Sequence, residues 1–269
     1  MTIDDWLNIS SMKLQQAGIK SFRLDSELIL EFIYKKGRTF LHSHSKDEMP
    51  KNFQKKADKA LKQRLKHLPI AYIVGYKEFY GRNFNVSKNV LIPRPESESI
   101  VDFAKDIISK EINTLLDVGT GSGCLGVTIK LECPRLDVTI SDINRSALKI
   151  AKLNAQKLQA NINTVQSDLL KNISIRPDVI VANLPYVDKS WQVSPETKFE
   201  PTQALYAKDD GLDLIKKLIE QAKSKYLILE SDPRQQEEII NYSKKYDYKL
   251  FKKDKFVVCL KSDWYIRSK

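Results

Sequence analysis

The sequence predicts an α/β fold, a doubly wound and mostly parallel sheet preceded by a small helical segment. Three observations predict it. From about residue 97, short apolar runs alternate with stretches of helical period. Four successive runs end on Asp or Asn. Before residue 75 the apolar spacing is helical throughout.

The helical segment comes first. Leu7, Ile9, Met12 and Leu14 precede Gly18, a helix stop, and Leu24, Leu28, Ile29, Phe32 and Ile33 recur at helical spacing before Gly37. A third helix is predicted over 52–67, with Lys51, Lys55, Lys56, Lys59, Lys62, Arg64 and Lys66 in or beside it. Such a run is more often a solvated face than a contact surface. Next, Glu78-Phe79-Tyr80 and Asn83-Phe84-Asn85-Val86 flank Gly81-Arg82, which predicts a hairpin. Val90-Leu91-Ile92 then runs into Pro93-Arg94-Pro95, where the prolines enforce extended backbone. This stretch reads as a connector between domains, and its sequence alone does not establish whether it lines an active site.

Strands are predicted over 114–118, 138–141, 165–167, 178–182, 226–230 and 256–260, and helices over 124–131, 146–158 and 212–222. In open α/β sheets ligands bind beyond the carboxyl ends of the strands. Asp117, Asp142, Asp168 and Asn183 stand at four such ends in succession. One Asp at a strand end is usually a turn former; four in order point to a site.

The first strand runs into Asp117-Val118-Gly119-Thr120-Gly121-Ser122-Gly123, and Gly126 follows. Glycines there let the backbone turn sharply and approach a ligand. Gly121, Gly123 and Gly126 also match the dinucleotide fingerprint, with Asp142 lying 142 − 121 = 21 residues on. The loop alone does not separate a nicotinamide enzyme from a methyltransferase. In either, the Asp142 carboxylate accepts hydrogen bonds from ribose hydroxyls.

Asn183-Leu184-Pro185-Tyr186 follows the apolar run Val179-Ile180-Val181-Ala182 and discriminates between them. An amide or exocyclic amine is a poor nucleophile because its lone pair is delocalised. A useful site accepts its two N–H groups and aims the lone pair at an electrophilic methyl. The Asn183 side-chain oxygen and the Leu184 carbonyl can supply those acceptors. Pro185 fixes the chain between them, and Tyr186 offers a flat stacking face. By itself the tetrapeptide could equally be an Asn–Pro turn; the glycine loop and Asp142 tip the balance towards nitrogen methylation.

Composition narrows the alternatives. The 269 residues hold one large domain, or a large one with a small appendage, and 42% are hydrophobic. No stretch approaches the roughly 20 apolar residues of a membrane span, and the acidic start leads into no signal peptide. Cys124, Cys133 and Cys259 make neither a disulfide framework nor zinc spacing, as fits a reducing cytoplasm. His42, His44 and His67 have no metal-site companions, so no metal is expected. There is no nucleophile elbow and no phosphate-binding Lys-Ser/Thr loop. The net charge of +11 suits a nucleic acid or ribosomal partner. Its lysines are spread through every segment, which favours solubility instead.

These residues resemble the class I S-adenosylmethionine-dependent methyltransferases, and within them the peptide chain release factor glutamine methyltransferases (PrmC/HemK type). The resemblance runs through Pro69 to Gly75, Lys77 to Gly81, Leu91-Ile92-Pro93-Arg94-Pro95-Glu96, the glycine loop, the Asn183 tetrapeptide, Glu200-Pro201 and Asp210-Gly211-Leu212. Its most specific part is the Ile-Pro-Arg-Pro-Glu stretch before the glycine loop. It implies a helical domain over 1–75 that helps hold the substrate protein, a hairpin over 76–96, and a seven-stranded methyltransferase domain over 97–269. The implied cofactor is S-adenosyl-L-methionine. Gly119, Thr120, Gly121, Ser122 and Gly123 would wrap its methionine part and Asp142 would hold its ribose. Asp168 and Leu169 would border its adenine, and Asn183 would also face it. Asn183, Leu184, Pro185 and Tyr186 would grip the glutamine of the Gly-Gly-Gln motif in class I release factors. The expected protein is a cytoplasmic monomer that requires neither membrane nor nucleic acid.

Two departures stand out. The family usually has Pro where this chain has Leu184, whose assigned role uses only its carbonyl. Ser231-Asp232-Pro233 replaces a glycine-containing turn after 227–230. The strongest rival is an rRNA adenine dimethyltransferase, which shares Asn-Leu-Pro-Tyr. Those enzymes carry the glycine loop near the N-terminus and the extra domain after the catalytic one, the reverse of the order here. A ribosomal-protein glutamine methyltransferase would share the chemistry. A cofactor-binding protein without catalysis would not need Asn183 and Tyr186.

Overall fold

The computed structural model describes residues 1–109 and 111–263. The chain divides into two compact units, one of residues 1–76 with 193–199 and one of residues 77–192 with 200–269.

The first unit holds five α-helices, α1 (Ile3–Gln16), α2 (Phe22–Tyr34), α3 (Arg38–Ser43), α4 (Lys51–Arg64) and α5 (Ile70–Val74), and a 3-10 turn over Pro195–Phe199. Helix α1 starts at a capping box, in which Asp5 N–H donates to Thr2 Oγ1 and Thr2 N–H to the Asp5 carboxylate. Trp6, Leu7, Leu14, Ile29, Leu30, Leu41 and Leu61 form the unit's core, and Trp6 Nε1 donates to Asp58 at 2.9 Å. A buried cation also threads this unit. Arg64 is 1% exposed, and its guanidinium binds Asp25 at 2.6 Å and Glu196 at 2.5 Å. Lys51, Lys55, Lys56, Lys59, Lys62 and Lys66 are exposed.

The second unit opens with the hairpin of β1 (Tyr76–Phe79) and β2 (Arg82–Asn85), then α6 (Glu98–Ile107). Phe79 and Phe84 pack edge to face inside its core. There follow β3 (Thr114–Val118), α7 (Cys124–Glu132), β4 (Asp137–Asp142), α8 (Arg145–Lys157), β5 (Asn163–Gln166) and β6 (Val179–Ala182). The chain closes with α9 (Thr202–Leu205), α10 (Asp213–Gln221), β7 (Tyr226–Glu230), α11 (Gln236–Ser243), β8 (Tyr248–Lys253) and β9 (Val257–Ser262).

Seven strands form one sheet in the order β5-β4-β3-β6-β7-β9-β8. The first five are parallel; β9 runs antiparallel to β7 and β8 to β9. All four side chains of β6 are buried, as expected of a central strand covered on both faces. One face carries the core of Ile100, Phe103, Leu125, Val127 and Ile140; the other carries Leu116, Ile180, Ile215, Leu218 and Leu229. The predicted α/β sheet is therefore present, with the predicted strand over 165–167 displaced to 163–166. Strand β8 and helices α3, α5, α6, α9 and α11 are additions to the predicted set.

Candidate active site

The loop from β3 to α7 is built on three residues that only glycine accommodates easily. Gly119, Gly121 and Gly123 have φ of 71°, 56° and 83°. The loop is held from below by Asp117, whose Oδ2 accepts from Thr120 Oγ1 at 2.5 Å and from Gly126 N–H at 3.0 Å. Asp117 is fully buried inside β3 and does not face the cavity described below. The expectation that it presents a ligand group at a strand end is thus corrected. The pleat turns its side chain towards α7, and burial pushes its carboxyl up to about 6.

At the end of β4, Asp142 Oδ2 accepts from Gly121 N–H at 2.9 Å and Oδ1 from Asn144 N–H at 2.8 Å. Each carboxylate oxygen retains a lone pair for a further donor. Burial raises this carboxyl above its ordinary value. Beyond β5, Leu169 is buried with φ of 50°, while Asp168 pairs with Lys171 at 2.5 Å.

After β6 the chain enters Asn183-Leu184-Pro185-Tyr186. Asn183 Nδ2 donates to Ser97 Oγ at 3.0 Å. Among the described residues, no donor is bonded to Asn183 Oδ1 or to the Leu184 carbonyl. The Leu184 side chain is 4% exposed and belongs to the apolar core. A Cβ on Gly119 would stand 2.9 Å from Leu184 Cδ2, so the glycine loop and this loop touch. The Tyr186 hydroxyl donates to Glu230 Oε1 at 3.2 Å. Burial, then the Glu230 charge, raise the Tyr186 phenol far above its ordinary value. Glu230 is 1% exposed, and burial pushes its carboxyl up to about 7.

The stretch before α6 joins the same place. Ile92 N–H donates to Glu200 Oε2 at 3.1 Å, and Arg94 Nη2 binds Glu200 Oε1 at 2.5 Å. One cavity of about 260 Å³ results. Its wall takes in residues 90–94, the backbone from Val118 to Ser122, Asp142, Asp168, Leu169, and Asn183 to Pro185. Of the residues singled out from sequence, Asp117, Gly123, Gly126 and Tyr186 do not line it. Gly123 instead lies under α8, where a Cβ would meet Ala151 Cβ at 3.0 Å. The cavity joins apolar walls (Leu91, Ile92, Ile143, Leu169) to the Asp142 carboxylate and to glycines with backbone exposed. That combination fits a ligand with a flat ring, vicinal hydroxyls and a polar tail, as S-adenosylmethionine has.

Sequence reasoning missed three contributors, Ser97, Glu230 and Gln235, and gave Glu200, part of the family resemblance, no role. Glu230 ends the fifth parallel strand, so the strand-end rule carried one strand further finds it. Ser97 and Gln235 carry no such signal; they matter through the groups they touch.

Known proteins resemble this chain over most of its length. A family model described as the PrmC N-terminal domain matches residues 5–75, and the methyltransferase small domain matches 97–199. A release factor glutamine methyltransferase of Koribacter versatilis is 39% identical, covering 82% of this chain and 81% of that protein. One from Staphylococcus aureus is 39% identical over 77% of this chain and 75% of its own. A bifunctional methyltransferase of Rickettsia bellii is 33% identical over 82% of this chain but only 46% of its own. Among solved structures, the hMettl16 catalytic domain aligns with a TM-score of 0.53 at 14% identity, covering 68% of this chain and 76% of that one, a likeness of fold.

Proposed function

Because the chain belongs to the release factor glutamine methyltransferase family, we propose that it methylates the side-chain amide nitrogen of the glutamine in the Gly-Gly-Gln motif of class I peptide chain release factors. The methyl donor is S-adenosylmethionine. The observation that carries the reading is the setting of Asn183: its Nδ2 is engaged by Ser97, and it stands on the wall of the cavity that the glycine loop and Asp142 share.

The cofactor, when bound, supplies an electrophilic methyl on a sulfonium. Gly119 to Ser122 would hold it by backbone, with Asp142 at its ribose hydroxyls and Asp168 and Leu169 beside its base. Asn183 Oδ1 and the Leu184 carbonyl accept the two N–H groups of the substrate amide, which leaves the nitrogen lone pair to point at the methyl. Pro185 keeps the carbonyl in place, and Tyr186, anchored on Glu230, flanks the amide at the edge of the cavity. Transfer would move the positive charge from sulfur to the amide nitrogen, which would shed it by losing one of its two N–H protons to water beside these residues. Their contribution is orientation.

In this reading residues 1–75 help hold the release factor, the hairpin of 76–96 leads into the catalytic part, and 97–269 carry the transfer. The protein acts as a monomer in the cytoplasm, where translation terminates, and needs neither nucleic acid nor membrane. No helix among the described residues is long and apolar enough to cross a membrane. The test is to incubate purified protein, S-adenosylmethionine and release factor, then locate the methyl by tandem mass spectrometry. It is expected on the Gly-Gly-Gln glutamine; a methyl elsewhere, or none, contradicts the proposal.

A further inference from the structure

We propose that Glu230 is a positioning residue whose negative charge decides which end of the Asn183 amide faces the substrate. The inference rests on the reading of Asn183 as an acceptor for the substrate amide.

Glu230 and Asn183 are neighbours by topology. Leu229 pairs with Ala182 across β7 and β6, and each of the two polar residues is the next one along its chain. Glu230 is 1% exposed. Its Oε1 accepts from Tyr186, while its Oε2 is buried without a hydrogen-bond partner. The Ser97 hydroxyl and the Asn183 amide lie close enough to stabilise the carboxylate.

The two ends of an Asn amide have almost the same shape, so packing alone does not choose between them. Charge does. A carboxylate only accepts, so it attracts Nδ2 and repels Oδ1. It also draws the single proton of Ser97, whose oxygen can then only accept, and Asn183 Nδ2 does donate to it at 3.0 Å. With Nδ2 taken, Oδ1 is left for a substrate N–H. Protonation of Glu230 reverses the sequence. Its O–H can donate to Ser97, which frees the serine proton for Asn183 Oδ1. The amide then turns over and meets the substrate N–H groups with N–H groups of its own.

The groups that face Glu230 are Ser97, Tyr186, Asn183, Glu96 and Cys124. Burial and the Glu96 charge favour its neutral form; Ser97, Tyr186 and Asn183 favour the ionised one. Cys124 stays a neutral thiol, pushed up to about 12 by burial. The balance leaves Glu230 titrating at about 7, inside the range where turnover is measured.

The experiment is the pH profile of kcat for wild type, Glu230→Gln, Glu96→Gln and Asn183→Ala. Wild-type turnover should fall as pH drops below about 7, with KM for S-adenosylmethionine flat. Glu230→Gln should lose roughly tenfold or more in kcat, the scale of a hydrogen bond to a charged group, and lose the acidic limb with it. Glu96→Gln removes a neighbouring like charge, keeps turnover at alkaline pH and moves the limb to lower pH. A second readout needs no activity. The folded-state value of Glu230 lies above its ordinary 4.5, so ionisation opposes folding. Wild type should therefore lose stability relative to Glu230→Gln as pH rises from 4.5 to about 7. A Glu230→Gln enzyme with wild-type kcat and an intact limb overturns the proposal, as does an unmoved limb in Glu96→Gln. If Asn183→Ala itself turns over normally, the reading of Asn183 fails instead.

Discussion

Gln235 Nε2 donates to the backbone carbonyl of Tyr186 at 2.8 Å, and its second hydrogen goes to the Asp210 carbonyl at 2.7 Å. Its Oε1 meanwhile accepts from Asp232 N–H at 3.1 Å, as part of a capping box with Asp232. One side chain thus ties the end of the Asn183 loop to two other segments. The Ser231-Asp232-Pro233 turn is what presents it: Asp232 caps a short 3-10 turn that starts at Pro233 and ends on Gln235.

Gly211 makes the same place tight. A Cβ there would stand 2.0 Å from the Tyr186 carbonyl oxygen and 2.5 Å from Gln235 Nε2, and φ is +86°. Gly211→Ala should therefore displace the loop, lowering kcat by roughly tenfold or more while S-adenosylmethionine still binds, because a small misplacement is costly to an oriented reaction. Steady-state kinetics beside calorimetry check this; equal losses in both would argue for general unfolding instead.

Asn183→Ala should cost on the order of 10²-fold in turnover, the scale for a lost preorganised hydrogen-bonding group. Cofactor affinity should change much less. Near-wild-type turnover would remove Asn183 from the substrate amide.

Asp142→Ala should weaken S-adenosylmethionine binding by about tenfold or more, since it removes an acceptor for charge-assisted hydrogen bonds. The loss has a second source, because Gly121 N–H loses its 2.9 Å partner. Isothermal calorimetry measures it directly, and unchanged affinity would take Asp142 out of the site.

Arg64→Ala should destabilise the helical unit by about 3–5 kcal/mol, the usual cost of stranding one member of a buried ion pair. Asp25, 1% exposed, would keep only Ser21 as a side-chain donor. Lys252→Ala makes a useful contrast. Its pair with Asp106 is exposed on both sides and screened by water, so its loss should barely move stability. Chemical denaturation of the two variants separates these magnitudes.

Much of this architecture is written along the chain. Val179-Ile180-Val181-Ala182 reads as a buried strand because it is apolar on both faces, and the glycine loop reads as a turn because its backbone admits little else. Strand β8 is harder to see: it is an edge strand whose Lys249, Lys252 and Lys253 are exposed, and such charges protect an open edge. Asp117 shows the opposite difficulty. It looks like Asp142 in sequence, but strand pleat turns it into the core while Asp142 stands on the cavity wall. Ser97 and Gln235 act on residues 86 and 49 positions away, and only folding makes them neighbours.

The most direct measurement of the proposed activity is a methyl-transfer assay with labelled S-adenosylmethionine, in which release factor, the same factor with its Gly-Gly-Gln glutamine replaced, and ribosomal RNA are offered in parallel. Label on the intact release factor alone is the predicted result. Label on RNA, or label that survives replacement of the glutamine, would contradict it.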